Sequence, residues 1–163
     1  MRLYIVRHGK AERDSPTGRE ADRRLRPRGE RQSVFLGEIF CACDDPPTLI
    51  LASRYTRALH TARVIHEAVG CELRLAPELE LGSYVAEAVA LMRDHASFDP
   101  LMLVGHNPQL EDLIDVLLQG PAGAGTRLRT GEAAALDVEV DKLDPDSLRT
   151  CAELIEMIRL EEE

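Results

Sequence analysis

Apolar residues in this chain come in two arrangements. In the first they stand side by side: Tyr4, Ile5 and Val6 near the start, residues 49–52 and residues 101–104 form unbroken runs. A strand covered on both faces needs no alternation, so these runs read as inner strands of a parallel sheet. In the second arrangement apolar positions recur every three or four residues. Leu59, Ala62, Val64, Ile65 and Val69 stripe a helix over residues 57–68, and Gly70 stands where helices commonly stop. A short strand over residues 73–75 follows. Val85, Ala88, Val89 and Met92 stripe a second helix over residues 85–95, and Pro100 marks the turn into the next strand. Leu110, Leu113, Ile114, Leu117 and Leu118 give the clearest helical period, ended by Gly120 and Pro121.

The last third is less regular. Residues 121–125 read as a flexible loop, 133–140 as a strand through Leu136, Val138 and Val140, and 141–147 as a turn or small insertion. Residues 151–160 fit either a strand or, through Leu154, Ile155 and Ile158, one face of a helix. Residues 161–163 read as a frayed acidic end. No repeat or second boundary is visible, so residues 1–163 are expected to form one domain.

Each of the three inner strands ends in residues that carry chemistry. The first runs into Arg7-His8-Gly9, the second precedes Ser53 and Arg57, and the third precedes Gly105-His106-Asn107-Pro108. Strand ends of this kind are where open α/β sheets bind ligands. Together they offer guanidiniums and imidazoles, a set suited to a phosphoryl group. Three such motifs in this order resemble the histidine phosphatase superfamily, also called the phosphoglycerate mutase-like family. The resemblance rests on Arg7-His8-Gly9, on Ser53 with Arg57-Ala58 and Thr61-Ala62, and on Gly105-His106, with support from Asp22-Arg23-Arg24-Leu25, Gly29 and Asn107-Pro108. It spans roughly residues 2–120, and the short chain is most similar to the family's small SixA-type phosphohistidine phosphatases.

The resemblance implies a three-layer α/β/α sandwich with a mostly parallel central sheet, and a metal-independent phosphatase needing no cofactor. His8 is the expected nucleophile, since a neutral imidazole can attack phosphorus and carry the phosphoryl group covalently. Flanking guanidiniums disfavour the protonated ring, so Arg7 and Arg57 both activate His8 and grip the phosphoryl oxygens with forked hydrogen bonds. The family's second histidine contacts the phosphoryl group, which assigns His106 as a hydrogen-bond donor to it. Arg23 is the expected auxiliary anion contact. The family's ester phosphatases draw a general acid from the segment that here reads Glu78-Leu79-Glu80, leaving Glu78 by its spacing to Gly82, or Glu80, as alternatives to an ordinary solvated charge. An absent acid would hinder alkyl phosphates more than a phosphohistidine, whose P–N bond is labile. The implied substrate is therefore a phosphohistidine-bearing protein, a phosphorelay domain or a phosphocarrier. A small-molecule phosphatase or mutase using the same nucleophile is the nearest alternative, and a non-catalytic phosphate-recognition module the more distant one.

Composition narrows the remaining classes. With 44% hydrophobic and 30% charged residues the chain is that of a globular protein, and no apolar run approaches the roughly twenty residues that span a bilayer. The N-terminus enters the first strand without a signal pattern, which predicts a cytoplasmic protein with no membrane partner. Cys41, Cys43, Cys71 and Cys151 have no zinc or redox spacing and read as free thiols. Arginines crowd residues 19–31, yet the net charge is −9 and no aromatic residues interleave them, which argues against nucleic acid. These arginines read as a solvated loop and helix start, or as a docking surface for an acidic partner. The small branch implies a monomer.

Overall fold

The computed structural model describes residues 1–118, 125–144 and 151–161. Among these residues six strands form one sheet: β1 (Arg2–Arg7), β2 (Leu49–Ala52), β3 (Glu72–Leu75), β4 (Leu101–Gly105), β5 (Ala133–Val138) and β6 (Ala152–Ile158). Their order is β3-β2-β4-β1-β5-β6. β3, β2, β4 and β1 are mutually parallel, β5 is antiparallel to β1, and β6 is antiparallel to β5. β5 alone therefore runs against the others, and the C-terminal ends of β1 and β6 share one edge of the sheet.

Among the described residues four helices cover the two faces: α1 (Pro27–Ala42), α2 (Thr56–Val69), α3 (Val85–Asp94) and α4 (Gln109–Leu118). Alternation along β1 sorts them. Leu3 and Ile5 pack with Val89, Met92, Leu113 and Ile114 of α3 and α4, whereas Tyr4 and Val6 pack with Leu36, Phe40, Ala62 and Ile65 of α1 and α2. The result is the three-layer, mostly parallel sandwich expected from the sequence. Among the described residues no helix is long and apolar enough to cross a membrane.

Local chemistry explains the boundaries. Pro27 opens α1, where its missing N–H costs nothing. Gly70 ends α2 at φ +84°, a left-handed conformation that glycine adopts without strain. Three sequence readings need correction or completion. The arginine-rich stretch leads into a full helix of 16 residues rather than only a helix start. Within residues 151–160, open between helix and strand, Ala152–Ile158 form the edge strand β6, because pairing with β5 satisfies a backbone that a lone amphipathic turn would leave to solvent. β5 stops at Val138, two residues short of the expected end at Val140, where the chain turns into a short 3-10 segment (Val140–Lys142). The expected helix stop at Gly120 and Pro121, the loop residues 121–124, the turn residues 145–147 and the acidic end at 162–163 lie outside the described residues.

Two glycines let α1 cross the loop that follows β1. A Cβ on Gly9 would lie 2.6 Å from the Gly29 carbonyl oxygen, and one on Gly29 would lie 2.1 Å from the Lys10 carbonyl oxygen. Gly29→Ala should therefore lower stability by about 2 kcal/mol, an overpacking cost of about 1–3 kcal/mol less the helical preference for alanine. For a chain of this size that is a fall in Tm of about 4–8 °C. Scanning calorimetry showing an unchanged or raised Tm, as for an ordinary helical Gly→Ala change, would contradict the close packing.

Candidate active site

The ends of β1, β2 and β4 meet at one place on the sheet edge. The His8 N–H donates to the Gly105 carbonyl at 3.1 Å, and the Ser53 N–H to the Val104 carbonyl at 3.0 Å, so the three segments leave the sheet together. The Gly9 N–H donates to Thr61 Oγ1 at 3.0 Å, and the Thr61 hydroxyl donates to the Arg57 carbonyl at 2.8 Å. Thr61 thereby fixes α2, which carries Arg57, against the His8 loop. From the other side the Gly131 N–H donates to the Arg7 and His8 carbonyls.

Inside this frame the His8 ring lies 5.2 Å from the His106 ring, centroid to centroid, and Arg57 Nε donates to His8 Nε2 at 3.3 Å. His8 Nδ1 is 2.8 Å from the Gly9 carbonyl oxygen, which only accepts. This contact assigns the proton to Nδ1 and leaves the lone pair on Nε2. His106 Nε2 is 2.8 Å from Ser53 Oγ, which also accepts from the Tyr55 N–H at 3.2 Å. The Ser53 hydroxyl can therefore donate to His106 Nε2, which would place the His106 proton on Nδ1. Arg57, only 2% exposed, also donates through Nη1 to the Glu20 carbonyl oxygen at 2.8 Å and through Nη2 to Glu20 Oε1 at 3.0 Å. Arg7 Nη1 donates to the Leu128 carbonyl at 3.2 Å. Two nitrogens of this cluster, Arg7 Nε and His106 Nδ1, are buried without a hydrogen-bond partner.

Burial sets the charge state. The His8 pKa is lowered from 6.5 to about 4, first by loss of solvent and then by the nearby Arg57, Arg7 and Arg23, with the Gly9 carbonyl opposing. His106 is lowered from 6.5 to about 3, again first by burial, then by His8 and the arginines. Both rings are neutral at pH 7. The sequence reading assigned that neutrality to the arginines, whereas desolvation is the larger cause.

The structure brings His8, Arg7, Arg57 and His106 into one cluster. Arg23 joins it indirectly: its Nη1 is 2.7 Å from Glu20 Oε1, the same carboxylate oxygen that Arg57 holds. Sequence reasoning missed Glu20, whose position three residues before Arg23 was its only signal. Hydrogen bonding to Arg23 lowers the Glu20 pKa, so its carboxylate sits ionised where any oxyanion reaching Arg57 Nη2 must share or displace it. Glu80 Oε1 is held by Arg54 Nε at 2.6 Å. Glu78 is half-buried in a short 3-10 segment (Pro77–Leu79) that packs on the end of β4, where a Cβ on Gly105 would lie 3.2 Å from the Leu79 carbonyl oxygen. Among the described residues no group of three His, Cys, Asp or Glu side chains is placed to hold a metal ion.

Solved structures share this architecture over nearly the whole chain. A protein histidine phosphatase SixA complexed with tungstate aligns with TM-score 0.81 and 18% identity, covering 98% of this chain and 97% of that one. A protein of Agrobacterium tumefaciens, provisionally assigned as the phosphohistidine phosphatase SixA, aligns with TM-score 0.80 and 24% identity, covering 96% of each chain. The alpha-ribazole phosphatase of Shigella flexneri aligns at 0.69 and 18%, covering 95% of this chain and 96% of that one. No curated protein matches the chain. The family model of the histidine phosphatase superfamily (branch 1) matches residues 3–83, the stretch that contributes Arg7, His8 and Arg57 to the cluster. With its sheet order, its paired histidines and that match in agreement, the chain belongs to the histidine phosphatase superfamily.

Proposed function

We propose that this protein is a phosphohistidine phosphatase acting on a phosphorylated carrier or relay protein. The observation that carries the reading is a neutral imidazole with its Nε2 lone pair free of a proton, set beside two buried nitrogens that lack partners, Arg7 Nε and His106 Nδ1. Buried polar groups are costly to leave unpaired, and an oxyanion between them would pair both.

In the first step His8 Nε2 attacks phosphorus, a P–N bond forms to the enzyme, and the P–N bond to the substrate imidazole breaks. The departing imidazole takes a proton from solvent. Water then attacks phosphorus, the enzyme P–N bond breaks, and orthophosphate leaves with His8 restored. Arg7, Arg57 and His106 hold the non-bridging oxygens through both displacements, since positioning and charge stabilisation dominate phosphoryl transfer. Arg23, through Glu20, sets how readily Arg57 opens to the anion. None of these steps draws on a metal.

The SixA-like architecture supports a phosphoprotein substrate, and the likeness to an alpha-ribazole phosphatase supports a small ester as the second reading. Glu78, beside the β4 end and not engaged by Arg54, would then be the acid. Phosphate release in the presence of a chelator decides between them. The expected result is faster turnover of a histidine-phosphorylated phosphotransfer domain than of sugar phosphates or p-nitrophenyl phosphate. Faster ester turnover, with a loss of about a hundredfold in Glu78→Gln, would move the protein to the small-molecule branch, and no turnover of any substrate would leave a binding module.

A further inference from the structure

Positive charge is unevenly spread along this acidic chain. Basic residues outnumber acidic ones nine to five between Arg7 and Arg31, although the whole chain has 20 Lys and Arg against 29 Asp and Glu. More arginines reach the same rim from distant parts of the sequence. A cleft of about 380 Å³ is lined by Arg28 and Gln32 of α1, by Arg129 and Thr130 before β5, and by Arg159 after β6. Because β6 runs parallel to β1, and β5 begins where β1 ends, this cleft opens on the sheet edge that bears His8.

The two sites share a wall. Leu128 accepts from Arg7, the Gly131 N–H donates to the Arg7 and His8 carbonyls, and Gln32 Oε1 accepts from the Lys10 N–H at 2.9 Å. Among the described residues that line the cleft the one acid is Glu161, whose 3.7 Å contact with Arg159 is 81% exposed on the glutamate side and weak. A second groove, about 540 Å³, continues from Leu160 along α1 past Val34 and Phe35, with Glu30, Arg31 and Glu38 along its sides, so that its apolar floor is the part open to a side chain and the carboxylates of an acidic partner are left to the basic cleft. Val34 is 49% exposed. A basic cleft that runs into an apolar groove fits a protein surface carrying carboxylates beside an apolar side chain better than it fits a free anion, which would gain nothing from Val34 and Phe35.

We propose that this cleft and groove form a docking site for an acidic patch on the phosphoprotein substrate, with carboxylates pairing to Arg129 and Arg159 and an adjoining apolar side chain seating on Val34 and Phe35. The inference rests on the phosphohistidine reading. It makes α1 and the edge strand β6 the parts that select the partner, while the cluster around His8 does the chemistry.

The test compares wild type with the double variant Arg129→Ser/Arg159→Ser, and separately with Val34→Glu, on a histidine-phosphorylated phosphotransfer domain and on p-nitrophenyl phosphate at several salt concentrations. For the double variant the expected result is a rise of about tenfold or more in KM for the phosphoprotein, with kcat within twofold and a flatter salt dependence. Turnover of p-nitrophenyl phosphate should stay at the wild-type value in both variants. Val34→Glu should raise KM for the phosphoprotein alone. Wild-type KM in both variants overturns the docking site while leaving the phosphohistidine reading intact. Equal losses on both substrates overturn it too, since they report damage to the fold. A wild type that hydrolyses the ester but not the phosphoprotein removes the reading on which the inference rests.

Discussion

His8→Ala protein is expected to lose phosphatase activity by on the order of 10⁴-fold or more while remaining folded, the scale seen when other enzymes lose their nucleophile. At 1.36 kcal/mol per tenfold, that is roughly 5 kcal/mol or more of transition-state stabilisation. No other group in the cluster can replace it. Arg7 and Arg57 carry no lone pair at neutral pH, and His106 has Nε2 engaged by Ser53 Oγ. The same variant should fail to retain radiolabel when quenched in alkali during turnover, because the wild-type label would sit on His8 Nε2 as an acid-labile phosphoramidate. Labelled His8→Ala protein, or a variant within tenfold of wild type, would assign the covalent step to another residue.

Stability should fall as pH is lowered from about 6.5 toward 4, with the fall beginning above the range in which ordinary carboxylates titrate. The sign follows from the two buried rings. Unfolded histidines bind a proton near pH 6.5, whereas folded His8 and His106 resist protonation until about 4 and about 3. Between these values the unfolded chain binds more protons, so acid favours unfolding. The stabilisation linked to the neutral rings is complete above about 6.5 and is lost as pH falls toward the folded values. A depression from 6.5 to about 4 corresponds to roughly 3 kcal/mol for His8 alone. The rings lie 5.2 Å apart, so their protons bind as a coupled pair and the two contributions do not simply add. Urea unfolding at closely spaced pH values should show this slope, and His8→Asn should reduce it. A slope unchanged in His8→Asn would mean that burial of this ring is not what the acid limb reports.

The parts of the fold that were legible in sequence are those whose chemistry is local. Tyr4, Ile5 and Val6 announce an inner strand because neighbouring apolar side chains on both faces leave no exposed side, and the structure buries all three. The α2 stripe and its Gly70 stop needed only the helical period and a left-handed residue. By contrast, Leu154, Ile155 and Ile158 fit two periods at once, and only pairing with β5 chose the strand. Helix α1 was half hidden because its first turns carry arginines and a glycine. Gly29 weakens local helical preference, yet it is required where Lys10 crosses at close range.

The site divides along the same line. Arg7, His8, Arg57 and His106 were legible because each follows an apolar run by a residue or a few, and parallel strands align their C-terminal ends on one edge. Sequence alone therefore determined the α/β layering, the strand ends that meet at the candidate site and the cations and imidazoles gathered there. What only the tertiary structure decided depends on groups far apart in the chain: the depth of burial that neutralises His8, the Glu20 carboxylate lying across Arg57 and Arg23, and the cleft assembled from α1, the segment before β5 and the end of β6. Desolvation and ion pairing act through space and are set by the whole packed surroundings, whereas strand and helix periods are written within a few consecutive residues.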